Sequence, residues 1–246
     1  MENNVIMFLD DVKKRAAKWE SGYGNIVNKQ ISLISLEEFP ELKNNGLEFS
    51  ENSTPMNGSV YLPHPFQKNE YVELEKSSHS IQIEKINNFS HICQLLGASE
   101  IIVNKVITTV KEFEFNNETG LRTPKSNVSN KIKKRSEENN TRVYKLHQKF
   151  GEVRTPNYAA AYKTYQERLL GDLSIKNLLD SRNPELAVGN LLSFHDMELT
   201  ISNEVNSILD IASNLSGMKG FLSLSNEYQQ KLRISENITL KITVNF

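Results

Sequence analysis

The chain has 246 residues, of which 38% are hydrophobic and 24% charged, so it can bury a core and is not disordered as a whole. Its 29 cations and 30 anions give a formal net charge of -1, which excludes a protein that coats nucleic acid with its entire surface. The single cysteine, Cys93, excludes an internal disulfide and a cysteine-based structural metal site within one chain.

The N-terminal third predicts one helix followed by short strands. Residues 4–20 place apolar side chains on one helical face, and residues 25–35 have the pattern of a strand. Ser35 and Glu38 have the spacing of a capping box at the start of a short helical turn. Residues 46–84 predict four short strands, the last at 80–84, separated by turn-forming sequences.

The middle of the chain predicts a helix and then a long hairpin. Asn88 is a candidate N-cap, Cys93 falls on the apolar face, and Gly97 is a candidate C-cap. Residues 99–115 predict one long strand and residues 141–150 a second. The apolar pattern disappears between them, so 116–140 is expected to be an exposed, mobile loop.

The C-terminal third predicts three helices and two strands. Helices are expected at 158–170, at 173–181 and after Ser202, and strands at 191–201 and at the end of the chain. In the last segment apolar residues alternate with polar ones from Ile238 to Phe246, which indicates one buried and one exposed face. If this strand lies at a sheet edge, it can pair with a second copy. The whole predicts a single α+β domain over residues 1–246, with a mostly antiparallel sheet and packed amphipathic helices.

A basic segment is the most distinctive feature of the sequence. Between residues 121 and 150 there are nine cations and two glutamates, a local net charge of +7. Such a cluster can neutralise phosphates, which is typical of salt-dependent binding to nucleic acid. It could also contact anionic lipid, or simply be solvated. The candidate residues for binding nucleic acid or another polyanion are Arg122, Lys125, Lys131, Lys133, Lys134, Arg135, Arg142 and Lys145.

Two other groups of residues suggest chemistry less strongly. Tyr158, Tyr162 and Tyr165 form a helical stripe near cations and could stack on bases, although the same spacing more often packs against a core. Asp196 and Glu198 point to one side of a predicted strand and could hold a hard cation such as magnesium, although an exposed acidic strand face is the commoner explanation.

No glycine-rich phosphate loop or nucleophile motif is found in the sequence, so the expectation is a non-enzymatic protein without a cofactor. We therefore predict a soluble binding or assembly protein that contacts nucleic acid or a nucleotide through the basic hairpin. The alternatives are a membrane-associating or pore-forming effector that uses the same hairpin, and a metal-dependent hydrolase that uses Asp196 and Glu198.

The remaining expectations concern the setting of the protein. We expect a cytoplasmic location, because one cysteine and an acidic, amide-rich N-terminus do not fit a secreted protein. No segment has the length of a transmembrane helix. The asparagine- and lysine-rich composition suggests a bacterial or phage protein from a multi-component system, with a protein partner or self-association.

Overall fold

The computed structural model describes residues 5–19, 31–49, 54–115, 122–125, 129–151, 155–187, 191–213 and 234–246. The helices in these ranges are α1 (Asp11–Ala17), α2 (Phe39–Asn44), α3 (Leu74–Leu95), α4 (Asn130–Val143), α5 (Tyr158–Arg168), α6 (Leu173–Ser181), α7 (Pro184–Ala187) and α8 (Asn203–Ser213). The strands are β1 (Val5–Leu9), β2 (Ile31–Ser35), β3 (Glu48–Phe49), β4 (Val60–Pro63), β5 (Glu70–Glu73), β6 (Glu100–Phe115), β7 (Arg122–Pro124), β8 (His147–Lys149), β9 (Phe194–Thr200) and β10 (Ile234–Asn245).

This arrangement is an α+β fold, as the sequence predicts. Antiparallel pairs join β1 to β4, β4 to β5, β9 to β10, and β6 to both β7 and β8, whereas β1–β2 and β3–β5 are parallel. The chain divides into two compact units, one made of residues 1–81, 111–128 and 204–235, the other of residues 82–110, 129–203 and 236–246. The single domain over residues 1–246 stays a prediction.

The first unit is built around a five-stranded sheet in the order β2-β1-β4-β5-β3. The predicted helix over 4–20 is wrong in its first half, because Val5–Leu9 is the buried strand β1. A run of five consecutive apolar residues suits a strand that is covered on both faces. The helix begins only after Asp10, whose side chain accepts a hydrogen bond from the Lys13 amide at 2.8 Å. The capping box of Ser35 and Glu38 is confirmed.

A second sheet has the order β7-β6-β10-β9, and β8 also pairs with β6. The alternation of β10 is confirmed, since its apolar side chains from Ile238 to Val244 are all buried. The suggested pairing of this strand with a second copy is wrong in its premise. β10 lies between β6 and β9, so both of its edges face strands of its own sheet.

Helix α3 is longer than predicted and includes a segment that was predicted as a strand. Residues 80–84, predicted as a strand, are helical, and Asn88 lies inside the helix and not at its N-cap. The alternation of Ile81 with Ile83 resembles a strand locally, but the apolar spacing continues at a helical period to Leu96. Gly97 ends the helix as predicted, with a φ of +85° and a hydrogen bond from the Ala98 amide to the Cys93 carbonyl at 2.9 Å.

The predicted basic hairpin is only partly correct. Strand β6 is confirmed, and β8 pairs with it in antiparallel register from Glu100↔Lys149 to Ile102↔His147. Residues 130–143, however, form helix α4 in place of the predicted loop and strand, and 122–124 form β7. The rest of the predicted loop, 116–121 and 126–128, lies outside the described residues. Lysine, arginine and glutamate favour helix, so a segment that lacks an apolar stripe can still be helical.

The helices that follow agree closely with prediction. α5 begins after Asn157, whose side chain accepts from the Ala160 amide at 3.1 Å, and α6 begins after Asp172, whose side chain accepts from the amides of Ser174 and Ile175. The second carboxylate oxygen of Asp172 lies 2.8 Å from Nζ of Lys85, which is 1% exposed. The predicted helix after Ser202 is confirmed up to residue 213, and the residues that follow it lie outside the described ranges.

Candidate polyanion-binding surface

Helix α4, which we call the basic helix, has uncharged residues on its inward face and charged residues at its exposed positions. Ile132, Ser136 and Asn140 are spaced four residues apart and face inwards, the first partly buried and the other two buried. The cations of the helix are all exposed; they are Lys131, Lys133, Lys134, Arg135 and Arg142. Five of the eight predicted site residues therefore lie on one helix.

The inward face of the basic helix is held by polar contacts. Ser136 Oγ donates to Glu236 Oε1 at 2.7 Å, and Asn140 Nδ2 donates to Glu236 Oε2 at 3.1 Å. Asn140 Nδ2 also lies 3.2 Å from Thr108 Oγ1 on β6. We call the contacts of Glu236 with Ser136 and Asn140 the Glu236 clasp. Hydrogen bonds to a charged group contribute about 1.5–3 kcal/mol each, so this clasp is a substantial attachment.

Tyr144 anchors the C-terminal end of the basic helix. Its amide donates to the Asn140 carbonyl at 2.9 Å, and its hydroxyl donates to Gln82 Oε1 on α3. Burial, assisted by the nearby Glu236 carboxylate, raises the pKa of Tyr144 to about 12. The phenol therefore remains protonated, and a hydrogen-bond donor, over the physiological range.

The cations are placed where they oppose helix stability. Lys131 and Lys133 lie in the first turn, where the helix macrodipole is already positive; each costs about 0.3–1 kcal/mol at low ionic strength. Lys131 and Arg135 are four residues apart and repel one another by about 0.2–0.5 kcal/mol. The Lys134–Glu138 pair, 3.9 Å apart and well exposed, offsets little of this. The first two turns thus have a net positive potential that the nearby glutamates offset only in part.

The other predicted cations are placed differently. Lys145 is exposed just beyond the basic helix. Lys125 belongs to the first unit, where its Nζ lies 3.3 Å from Oε1 of Glu112. Arg122 begins β7 in the same unit and is paired in register with Phe115. Arg122 and Lys125 therefore belong to a different unit from the basic helix, and their part in the predicted site stays a prediction.

The tyrosine stripe on α5 is largely structural. Tyr158 and Tyr162 stack with centroids 5.9 Å apart and planes at 20°, and Tyr165 is 4% exposed. The expected cationic neighbours lie close to acids, since Lys163 is 3.8 Å from Glu167. Arg168, a second cation of the helix, lies 3.7 Å from Glu84, and Arg154, which precedes the helix, lies outside the described residues. Core packing, the commoner explanation of this spacing, accounts for Tyr165, whereas Tyr162 keeps an exposed ring.

Asp196 and Glu198 both lie on the exposed face of β9, as predicted. Each faces a partner on β10: Lys241 Nζ lies 2.9 Å from Glu198, and Thr243 Oγ1 donates to Asp196. Among the described residues there is no group of three or more His, Cys, Asp or Glu side chains arranged to hold a metal ion. An exposed acidic strand face paired with a cation is the simplest account of these two carboxylates.

Sequence reasoning missed two long-range contacts of charged side chains. The Glu236 clasp joins residues about a hundred positions apart, and Lys85 pairs with Asp172 across a similar distance in sequence. The signal that was available is the polar spacing of Ser136 and Asn140, four residues apart in a segment otherwise rich in charge. Cys93 is fully buried, as predicted, and burial raises the pKa of its thiol.

Comparison of the chain with models of known protein families, with curated proteins and with solved structures finds no match. In the described ranges, no helix combines the length and the apolar character needed to cross a membrane.

Proposed function

We propose that this protein is a non-enzymatic binding protein that holds a nucleic acid by its phosphate backbone on the basic helix. The observation that carries the proposal is the exposed cluster Lys131, Lys133, Lys134 and Arg135 in the first two turns of α4. Lysine and arginine have good helix propensity, but their positive charge in the first turns opposes the helix macrodipole, so helix stability does not account for the sign of the charge there. Counterion release from a bound polyanion does.

The spacing of the cations favours a polymer over a single nucleotide. Lys131, Arg135 and Arg142 occupy positions i, i+4 and i+11, which fall within about 40° of one another around a helix of 3.6 residues per turn. At 1.5 Å per residue this row spans about 16 Å, with Glu138 interrupting it. A row of this length matches the successive phosphates of a strand better than the phosphate group of one mononucleotide.

The chemistry of the row favours contacts to phosphate and not to bases. The exposed positions of the basic helix carry cations, glutamates, small polar groups and Val143, and no aromatic ring for stacking. Lysines and arginines at phosphates fix affinity and orientation without reading sequence. We therefore expect weak sequence preference and strong salt dependence.

The test is fluorescence anisotropy with a labelled 20-nucleotide single strand at low salt. In the test variant Lys131, Lys133, Lys134 and Arg135 become glutamine, which keeps helix propensity. The matched control replaces the exposed residues Lys18, Lys43, Lys68 and Lys163 by glutamine, so that the net charge changes equally. The proposal predicts that only the first variant loses binding. Equal losses in both variants, or no binding by the wild type, would refute it.

The location, source and partners of the protein also remain proposals. A cytoplasmic location, a bacterial or phage source, a multi-component system and a protein partner or second copy are all consistent with a nucleic-acid binder. Self-association through β10 is not proposed, because that strand is interior. Light scattering of the purified protein, with and without oligonucleotide, measures whether a second copy binds.

A further inference from the structure

The basic helix packs against its sheet mainly through polar side chains, which is unusual for a helix. Its inward row has one partly buried apolar residue, Ile132, while the two fully turned-in positions are Ser136 and Asn140. Both of these give a hydrogen bond to the same carboxylate, Glu236 of β10. Apolar burial, which holds most amphipathic helices, contributes little to this row.

We propose that Glu236 is the positioning residue of the polyanion-binding surface: by holding Ser136 and Asn140 it fixes the basic helix, so that the cations meet the ligand as one rigid row. This inference rests on the proposed function. A rigid row binds more tightly than a mobile one, because less conformational freedom is lost when the ligand orders it. A helix held mainly by polar contacts is also a candidate for local opening, independent of global unfolding.

The sign of the effect separates positioning from simple electrostatics. Glu236 places a negative charge beneath a cationic surface, so by charge alone its removal should tighten the binding of a polyanion. If Glu236 acts by positioning, its removal should weaken binding, because the cations are no longer presented together. The two accounts therefore predict opposite changes in affinity for Glu236→Ala.

Three variants test this point. Glu236→Ala removes the clasp and one negative charge. Glu198→Ala is the matched control, since it removes one negative charge from an exposed position on β9. The double variant Ser136→Ala with Asn140→Ala breaks the clasp and leaves every charge in place, and alanine favours helix, so any loosening reports undocking. Circular dichroism first establishes that each variant is folded.

Two measurements are made on the full chain. Hydrogen exchange is followed over residues 130–143 in the free protein, and anisotropy measures the affinity for the labelled single strand over a range of salt. For Glu236→Ala and for the double variant we expect faster exchange over 130–143, affinity reduced roughly threefold to tenfold, and a salt slope smaller by about one phosphate contact. For Glu198→Ala we expect unchanged exchange and equal or tighter binding.

The outcomes distinguish this inference from the proposed function. If the wild type binds and Glu236→Ala binds as tightly as Glu198→Ala, the positioning role is wrong and the basic surface stands. Unchanged exchange over 130–143 in the double variant would also overturn it. If Glu236→Ala does not fold, the double variant decides the question. If the wild type does not bind, the proposed function fails and the inference with it.

Discussion

Two helices of the second unit, α4 and α6, are held in contrasting ways. On α6 the inward residues Ile175, Leu178 and Leu179 are fully buried, and Asp172 caps its N-terminus. On α4 the buried residues are Ser136 and Asn140, and four cations crowd its first two turns. Burial and capping account for the sequence of α6. They do not account for the cations on the outward face of α4, which is the observation behind the proposed function.

The largest expected effect is on the α6 side of this contrast. Asp172→Ala removes the cap of α6 and leaves the buried Lys85 ammonium without this carboxylate, so we expect a loss on the order of 3–5 kcal/mol in the free energy of unfolding. Urea denaturation measures it. Asp180→Ala is the control, because its pair with Lys176 is far more exposed, and it should change stability much less. Similar losses in both variants would contradict the structural role of the buried pair.

A smaller effect is expected from the tyrosine that anchors α4, and it depends on pH. The folded protein keeps the Tyr144 proton up to a pKa of about 12, whereas the unfolded chain loses it near the ordinary tyrosine pKa of 10.0. The folded state therefore binds more protons in this window, and stability falls as pH rises from about 10 to 12, by roughly 2–3 kcal/mol in full. Urea midpoints between pH 8 and 11.5 measure the decline. Tyr144→Phe should reduce its slope; an identical slope in both proteins would count against the assignment.

The smallest expected effect distinguishes best between a role in folding and a role in binding, because stability and affinity should change in opposite directions. Lys131→Glu places an acid in the first turn of α4, where the macrodipole favours it, and replaces the repulsion with Arg135 by attraction, so stability should rise by about 1 kcal/mol at low ionic strength. The same change should weaken oligonucleotide binding. Thermal denaturation and anisotropy measure the two quantities. A variant that is less stable and binds normally would show that Lys131 serves the fold.

The α+β class and most of the C-terminal elements could be predicted because their apolar spacing is local. Ile238 to Val244 alternate over a core, and Asn157, Asp172 and Gly97 are helix boundaries that residue type alone suggests. The predictions were wrong where a segment fits both the helical and the strand spacing of apolar residues, or where it fits neither. Residues 5–9 could belong to a strand or a helix, and tertiary burial favours the strand.

The charge of the candidate surface could be predicted from the sequence, but its secondary structure could not. The charge excess is visible in the sequence, so five of the predicted cations do lie on one exposed helix. The helix itself was missed, because its inward face is polar and gives no hydrophobic period. The Glu236 clasp is formed by residues that are distant in sequence, and only the fold brings Ser136 and Asn140 to β10.

The salt dependence of oligonucleotide binding tests the central claim most directly. If the basic helix neutralises four phosphates of a single strand, the logarithm of the association constant should fall with the logarithm of salt concentration with a slope of about -3. The variant with glutamine at Lys131, Lys133, Lys134 and Arg135 should lose most of this slope, since Arg142 is the one cation that it keeps on the basic helix. A wild-type slope near zero, or the same slope in both proteins, would contradict the account.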